Sequence, residues 1–426
     1  MSHSITRNTN PLNGETAVYE PLKRLERWVQ QANWTAYDTF DGLSSPYARL
    51  LTFGSGFLKQ VWQQAVRRFP INLRPLLGIK PSMSTKGMGF FAQGYLRLYQ
   101  TYGEAAYLEK ARFCLQWLRD NRCPQFQGNA WGNHFPYQSR GGAIPKGTPT
   151  IVWTGLIGNS FMDAYDFTGD EEFLAVAKGA CDFIVEELGS FKGDGGICLR
   201  YYPNEEHQIH NSNIIGASLL ARVNALRPDS RYSKLAQSAV DFTVSHQTAE
   251  GAWYYGVESK YRWVDSFHTG YVLEALDIFN RSSGSSKHAA ALEKGYRYFV
   301  ETFFGEDGTP RYYDYKTRPL DIQCASQGIQ TLINLRRLHP RSVEVAGKVA
   351  QWTIANMQDP TGYFYYRKYP VITNKTATLH WGQATMFAAL ALLDHHLRSQ
   401  SGTTASSFPS DRATAMLSPL EHRGRV

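Results

Sequence analysis

The sequence lacks long apolar runs, an apolar leader and spaced metal ligands, and each absence argues against a class of protein. No stretch of its 426 residues approaches the ~20 consecutive apolar residues of a membrane-spanning helix, and the polar N-terminal segment has no apolar core. We therefore expect a cytoplasmic protein with no transmembrane segment. The five cysteines are scattered without metal-ligand spacing, so we predict reduced thiols and neither a metal nor another cofactor.

Familiar catalytic and nucleotide-binding motifs are missing as well. The chain has no glycine-rich phosphate loop, nucleophile elbow or dinucleotide-binding fingerprint. It also lacks the aspartate-rich clusters of terpenoid-processing toroids, although those proteins share its repeated glycines and aromatics. The formal net charge of +8 is spread along the chain, so nucleic acid is not an expected partner.

What the sequence does contain is a sixfold repeat. A glycine recurs every 54 to 61 residues inside an apolar, helix-like segment, at Gly94, Gly155, Gly216, Gly270, Gly328 and Gly382. A period of this length fits a helical hairpin plus its loop. Short Tyr/Trp-rich loops separate the glycine-bearing segments and favour short strands at one rim.

Two kinds of helix alternate along the repeat. Residues 382–393 have almost no polar position, as expected of a helix covered on all sides, whereas residues 108–120 are apolar on one face only. We predict an all-α fold, an (α/α)6 toroid with a buried inner ring, as one domain over residues 17–397. Residues 1–16 are expected to be flexible and residues 398–426 disordered.

The basic and apolar segment 57–79 has two interpretations. It would fit the first hairpin of the toroid, which is the simpler expectation. Alternatively, its basic residues among apolar ones could contact a membrane surface.

The strongest catalytic candidates are Asp265 and His268, which lie three residues apart before Gly270. This spacing puts a carboxylate and an imidazole on one face of the opening turn of an inner helix, where they could act as general acid and base. Helix capping by Asp265 and a structural role for His268 are the alternatives. Asp41 lies in a turn-rich stretch, and it would be the second catalytic carboxylate, opposite Asp265, if that stretch folds over the mouth of the barrel. The alternative is that Asp41 only stabilises the turn, where Asp is common.

Polar and aromatic residues near the start of each inner helix are expected to converge on a central cavity. Amphipathic rings suit sugar faces, and buried amides and imidazoles need hydrogen-bond partners that a polyhydroxylated ligand can supply. Packing of the loops on one another is the alternative explanation for many of the rings. The candidate substrate-binding residues are Trp131, His134, Trp153, His210, Asn211, Trp253, Tyr255, Arg262, Tyr313, Gln323, His380 and Trp381.

Several runs resemble a known family. Residues 37–43, 70–79, 211–222, 251–256 and 263–270 resemble the VpsJ-like proteins of bacterial polysaccharide biosynthesis. More distantly, the pattern resembles the six-hairpin (α/α)6 glycosidase superfamily, which includes unsaturated glucuronyl hydrolases, and the helical domain of glucuronyl C5-epimerases. The resemblance implies an exopolysaccharide setting, and the hydrolases would place an acid/base aspartate at Asp265.

The leading functional hypothesis is a glycoside hydrolase-type enzyme acting on an oligosaccharide or repeat unit. In this hypothesis Asp265 works with Asp41 or His268. A uronyl C5-epimerase or lyase using tyrosines at the mouth is the first alternative. The second is a non-catalytic sugar-binding or scaffold component, which could contact other polysaccharide-synthesis proteins.

Overall fold

The computed structural model describes residues 16–405, so all but the last residue of the predicted flexible N-terminal segment and most of the predicted C-terminal tail lie outside the described residues. Six inner helices form a closed ring, since each contacts the next and the last contacts the first. They are α4 (Thr85–Tyr102), α6 (Ile151–Thr168), α8 (His210–Leu226), α10 (Ser266–Ser283), α12 (Ile322–Asn334) and α14 (Thr385–Ser401). The predicted (α/α)6 toroid is confirmed.

An outer helix packs behind each inner one. The outer helices are α1 (Thr16–Gln31), α5 (Ala105–Asp120), α7 (Glu171–Asp182), α9 (Ser230–Ser245), α11 (Ala289–Thr302) and α13 (Ser342–Met357). A π-helical stretch, Phe183–Leu188, extends α7. Helix α1 packs against α14, so the two ends of the described chain form one hairpin and close the ring. The ring helices continue to Ser401, beyond the predicted boundary at 397.

The repeated glycines explain how the inner helices approach one another. A Cβ on Gly94 of α4 would lie 2.5 Å from the Phe387 ring of α14, and one on Gly155 of α6 would lie 2.5 Å from Ile215 of α8. Only a residue without a side chain fits at this separation. The glycine periodicity therefore reports real helix-to-helix contacts.

Short side chains begin most of the inner helices at a common rim. Ser84, Thr150, Asp265 and Asp321 each accept a hydrogen bond from a backbone N–H of the first turn of α4, α6, α10 and α12, respectively. Such caps satisfy N–H groups that have no partner inside the helix. The residues next to these caps consequently lie together at one end of the toroid.

Small antiparallel strands decorate this rim, as the Tyr-rich loops predict. They are β1 (Tyr137–Ser139) with β2 (Gly142–Ile144), β3 (Ser190–Gly193) with β4 (Gly196–Leu199), and β5 (Leu320–Asp321), β6 (Arg367–Lys368) and β7 (Thr373–Asn374) in one three-stranded sheet. Registers pair Tyr137 with Ile144 and Asp321 with Arg367.

The segment 57–79 does not form the first toroid hairpin, so that expectation is wrong. Nearly all of it falls within residues 41–78. They contain a 3-10 turn (Asp41–Ser44), α2 (Ala48–Thr52) and α3 (Gly56–Arg68), and they lie across the rim instead; we call them the lid. Gln63 of α3 exchanges two hydrogen bonds with Gln138 of β1, at 3.0 and 3.1 Å. At the other end of α3, Arg67 Nε donates to the Tyr366 hydroxyl at 2.8 Å. Amphipathic helices serve equally well in a hairpin or on a surface, so the pattern alone did not separate the two.

Among the described residues, no helix combines the length and apolar character needed to cross a bilayer. All five cysteines are buried and unpaired.

Candidate active site

The first half of the site is Asp265 with His268, at the start of α10. The Asp265 carboxylate is buried; its Oδ1 accepts the backbone N–H of His268 at 3.0 Å, and its Oδ2 accepts Trp263 Nε1–H at 2.8 Å. The same Oδ2 lies 2.7 Å from His268 Nδ1. Asp265 therefore caps the helix and also orients the His268 ring. Nε2 of this half-buried imidazole is left to contact a ligand.

A second aspartate–histidine pair lies near the sixth inner helix. Asp38 Oδ2 is 2.5 Å from His380 Nδ1, and both side chains are buried. His380 belongs to the π-helical turn Leu379–Ala384 that leads into α14, a type of distortion often found at functional sites. The two members of this pair are 342 residues apart in sequence.

The protonation of the second pair follows from its surroundings. Burial alone would raise the pKa of Asp38, but His380 and local hydrogen bonds outweigh it, so this pKa lies below its usual value. Burial lowers the pKa of His380 to about 4, against the opposing effect of Asp38. An ionised carboxylate only accepts, so Nδ1 carries the proton and Nε2 carries the lone pair. No residue within 16–405 hydrogen-bonds that Nε2.

A buried lysine lies beside this pair. Lys86, in the first turn of α4, has its Nζ 4.7 Å from the centre of the Trp153 ring of α6 and 5.9 Å from that of Tyr271 of α10. Helices α4 and α10 face each other across the ring, so the ammonium lies close to the toroid axis. Burial lowers its pKa to about 8, with Asp38 opposing the shift. In the described part of the chain it forms no ion pair.

Further polar atoms, at the starts of the inner helices and in the loop between α5 and β1, are buried and have no hydrogen-bond partner among the described residues. They are His134 Nδ1, Trp153 Nε1, Asn211 Oδ1, Ser266 Oγ, Gln323 Oε1 and Trp381 Nε1. A buried polar atom left unpaired costs free energy, so a group of them at one place indicates a site that hydrogen-bonds a ligand or water.

Aromatic rings connect the two aspartate–histidine pairs. The Phe267 ring centre is 4.0 Å from that of His268 and 5.6 Å from that of Trp381, which is itself 5.6 Å from His380. Tyr255 covers His268 at 4.5 Å. Both imidazoles thus lie around the same ring-lined opening.

The lid and the residues leading into it cover this opening. Phe40 meets the Trp381 ring edge-on at 5.2 Å, and the Arg67 guanidinium lies 4.4 Å from the centre of the Phe40 ring. A ligand that reaches the unpaired polar atoms has to pass beneath or displace these side chains.

Asp41 does not face Asp265 as a free carboxylate. Its Oδ1 accepts Arg74 Nε–H at 2.7 Å, and its Oδ2 accepts the backbone N–H of Asp38 at 2.9 Å. Arg74 also donates to the Asp38 carbonyl at 2.8 Å. Burial raises the pKa of Asp41 to about 6, although Arg74 opposes the shift. Asp41 thus holds the segment that carries Asp38, and Asp38 is the aspartate that reaches the site.

Known proteins resemble this chain in fold and not in sequence. The sequence matches no protein-family model and no curated protein. The structure is similar to an unsaturated glucuronyl hydrolase specific for heparin, with a TM-score of 0.59, 12% identity, and coverage of 92% of this chain and 99% of that one. Cellobiose 2-epimerase from Bacillus thermoamylovorans gives 0.59 at 12% identity, covering 74% and 88%, and a GH76 α-mannanase from Bacteroides thetaiotaomicron gives 0.57 at 13%, covering 75% and 88%.

This is the six-hairpin glycosidase-like fold. Identities this low show the fold alone. Across that fold the neighbours are described as a hydrolase, an epimerase and a mannanase, and a polysaccharide lyase is a further one, with a TM-score of 0.57 and 10% identity. The fold therefore leaves the chemistry to the side chains at the rim.

Within the six-hairpin fold, most of the candidate residues do come together. Asp265, His268 and Tyr255 form one cluster. His380 belongs to the other pair, and His134, Trp153 and Trp381 lie around it. Gln323 donates to the Tyr271 hydroxyl at 3.1 Å and keeps its Oε1 unpaired. Tyr313 lies at the rim, where it is bridged to Asp265 through the backbone.

Four other candidates are placed elsewhere. The Trp131 and Trp253 rings are buried in the helix packing and donate Nε1–H to the carbonyls of Leu118 and Thr243, at 2.8 and 2.9 Å. His210 packs on Phe242 and His246 at the outer helix α9. Arg262 is exposed at the outer surface of its loop. Each lies in a rim loop or at a helix start, but its side chain points away from the axis.

Two residues of the site are not among the candidates that the sequence indicates. Lys86 follows Ser84-Thr85 at the start of a very apolar helix, and a charged residue in such a segment is a usable signal. Asp38 lies in the same turn-rich stretch as Asp41, and the sequence does not single it out because its partnership with His380 depends on the tertiary fold.

Proposed function

We propose that this protein is a saccharide epimerase that moves a proton at a carbon next to a carbonyl group. The observation that carries this proposal is the pair of imidazoles, each oriented by a buried aspartate through Nδ1. Two separately held acid–base groups at one opening suit removal of a proton from one face of a carbon and its return to the other.

His380 is the stronger candidate for the base. Its low pKa keeps it neutral near pH 7, and its Nε2 lone pair is unpaired. In the first step Nε2 takes the carbon-bound proton, and the electron pair of the C–H bond moves onto the carbonyl oxygen. The buried Lys86 ammonium would stabilise the resulting negative oxygen. His268, held in place by Asp265, then returns a proton from its own side, and exchange with solvent restores both groups.

The substrate class is proposed from the lining. Aromatic rings with unpaired indole N–H groups and unpaired amide oxygens suit a sugar unit, and the central ammonium suits a carbonyl or uronate carboxylate. The sequence resemblance supports a role on an oligosaccharide or repeat unit of exopolysaccharide synthesis in the cytoplasm, where the chain could meet other synthesis proteins.

Glycoside hydrolysis is the second candidate. It is favoured by the position of Asp265, at an inner-helix start where the resemblance to unsaturated glucuronyl hydrolases places an acid/base aspartate. Here Asp38, rather than Asp41, would be the second carboxylate, because Arg74 neutralises Asp41.

One experiment separates the candidates. Reducing oligosaccharides and uronate-containing fragments are incubated with the protein in deuterium oxide and followed by proton NMR. Epimerisation predicts loss of the signal of one carbon-bound proton with appearance of a new stereoisomer, and both should fall at least about 10²-fold in His380→Asn and in His268→Asn. His339→Asn, far from the site, is the control.

Growth of anomeric signals from new chain ends, without deuterium at carbon, would instead establish hydrolysis. Turnover that survives both histidine substitutions would overturn the proton-transfer proposal.

A further inference from the structure

The outer face of the lid carries an unusual concentration of exposed apolar side chains. Ten of the large exposed hydrophobic residues lie within thirty positions of one another: Tyr47, Leu50, Leu51, Phe53, Phe57, Leu58, Val61, Phe69, Ile71 and Leu76. Phe53 is 83% exposed and Leu76 80% exposed. A soluble surface rarely collects this much apolar area in one place without a use for it.

The β6–β7 turn extends the same patch. Asn374 donates to the carbonyl of Phe69 at 2.7 Å, which holds this turn against the end of α3. The turn exposes Val371 almost completely and Ile372 in part. We call the ten lid residues and these two the apolar face.

The charge of this region has one sign. The sequence contains no Asp or Glu between Asp41 and Glu104. Arg49 and Arg68 of the lid are exposed, as is Lys80 just after it, and Lys59 is half-buried. Arg67 and Arg74 point inward and are used by the site. The charges left at the surface are therefore uniformly positive and are interleaved with the apolar side chains.

The local backbone gives a further indication at Phe53. This residue ends α2 in the left-handed conformation, with φ of 47°, where glycine or asparagine is more favourable than a bulky side chain. Gly54 follows it with φ of 76°. An exposed phenyl ring at a strained position contributes little to folding, which points to a contact outside the chain.

We propose that the apolar face docks on an anionic lipid bilayer. Aromatic and leucine side chains of α2 and α3 enter the interfacial layer, and Arg49, Lys59, Arg68 and Lys80 pair with acidic headgroups. A protein partner with an acidic, apolar groove has complementary chemistry too. The lipid is favoured because the cations are spread among the exposed apolar side chains from Arg49 to Lys80 and do not converge on one point. Docking would bring the lid, and the opening beneath it, against the membrane surface.

The test is co-sedimentation of the full-length protein with vesicles of phosphatidylcholine alone and with added phosphatidylglycerol. Binding is expected only with phosphatidylglycerol and should weaken as salt rises from 50 to 500 mM, roughly as screening requires. A variant carrying Leu50→Ser, Phe53→Ser and Phe57→Ser should lose at least tenfold in partition. A variant carrying Arg49→Glu, Lys59→Glu and Arg68→Glu should lose a similar amount.

The matched control carries Phe113→Ser and Tyr254→Ser, two rings that are 42% and 41% exposed outside the apolar face. It should bind vesicles like the wild type. The proposal is overturned if the full chain ignores both kinds of vesicle, or if the serine variant binds as well as the control. It is also overturned if light scattering shows a dimer that the serine variant abolishes while vesicles bind neither form. Vesicle binding does not depend on the reaction catalysed, so this result and the epimerase test fail independently.

Discussion

At the residue scale, the buried charge of Lys86 should lower the stability of the fold while it supports the proposed reaction. A lysine whose pKa falls from 10.5 to about 8 is destabilising while charged, because the unfolded chain binds the proton more tightly. We expect Lys86→Met to raise the free energy of unfolding at pH 7 by about 1–3 kcal/mol, a gain that shrinks toward pH 10. Sugar turnover should fall by about 10²-fold or more, since the central positive charge is lost.

Chemical denaturation at both pH values and the deuterium-exchange assay measure these effects. Lys234→Met, at an exposed position of α9, should change neither quantity. A less stable Lys86→Met protein would mean that Lys86 has a structural role instead.

The site shows what local sequence can and cannot supply at this scale. Asp265 and His268 were predictable because their three-residue spacing on a helix already brings them together. The Asp38–His380 pair forms only when the ring closes. The ammonium of Lys86 becomes buried near the toroid axis only when α6 and α10 pack around it. The sequence pattern also could not tell which way a rim tryptophan points, which is why Trp131 and Trp253 were selected with Trp153.

At the scale of elements, the glycine contacts make a direct prediction. Gly94→Ala places a methyl group 2.5 Å from the Phe387 ring, and the backbone of Ala388 at 3.4 Å limits retreat. We expect a loss of about 1–3 kcal/mol in unfolding free energy from overpacking. Adding Phe387→Leu should recover part of it. Gly56→Ala in the first turn of α3 meets nothing closer than 3.8 Å and should be neutral or slightly stabilising. Equal stability of the two alanine variants would contradict the close packing of α4 on α14.

The ring and the lid should differ in dynamics. Helices α2 and α3 bury only Ala48, Thr52, Gln63 and Val66, whereas α4 is buried over most of its length. Few buried contacts mean a low cost of local opening. Amides of α3 should therefore exchange with deuterium at least about tenfold faster than those of α4, as read by mass spectrometry of peptides. Equal protection of the two helices would argue against a lid that opens separately.

At this scale the sequence patterns predict the inner ring but not the lid, and the reason is physical. A glycine inside an apolar helix has one common cause, close helix packing, so the repeat predicted the inner ring. An amphipathic, basic segment has several common causes, including a hairpin helix and a surface helix. The pattern of residues 57–79 therefore favours a hairpin although the segment crosses the rim.

At the scale of the whole molecule, buried histidines make stability depend on pH. Burial lowers the pKa of His210 to about 3, with His246 adding to the effect, and burial likewise lowers the pKa values of His395 and His396. Each folded-state pKa lies below the unfolded value of about 6.5, so the unfolded chain binds more protons between those limits. These groups stabilise the fold fully above pH 6.5 and lose that contribution as pH falls. Burial of Asp41 and Glu274, whose pKa values rise to about 6 and about 7, works in the opposite direction.

A single substitution isolates one of these terms. Between pH 7 and pH 5, wild type should lose about 2 kcal/mol more unfolding free energy than His210→Gln does. The reason is that only the wild-type imidazole takes up a proton on unfolding over the roughly 1.5 pH units between its unfolded pKa and pH 5. The acidic groups are the same in both proteins and cancel in the difference. Urea unfolding at the two pH values measures it, with His339→Gln, at the surface between α12 and α13, as the control. Parallel losses in His210→Gln and wild type would place His210 in contact with solvent rather than against α9.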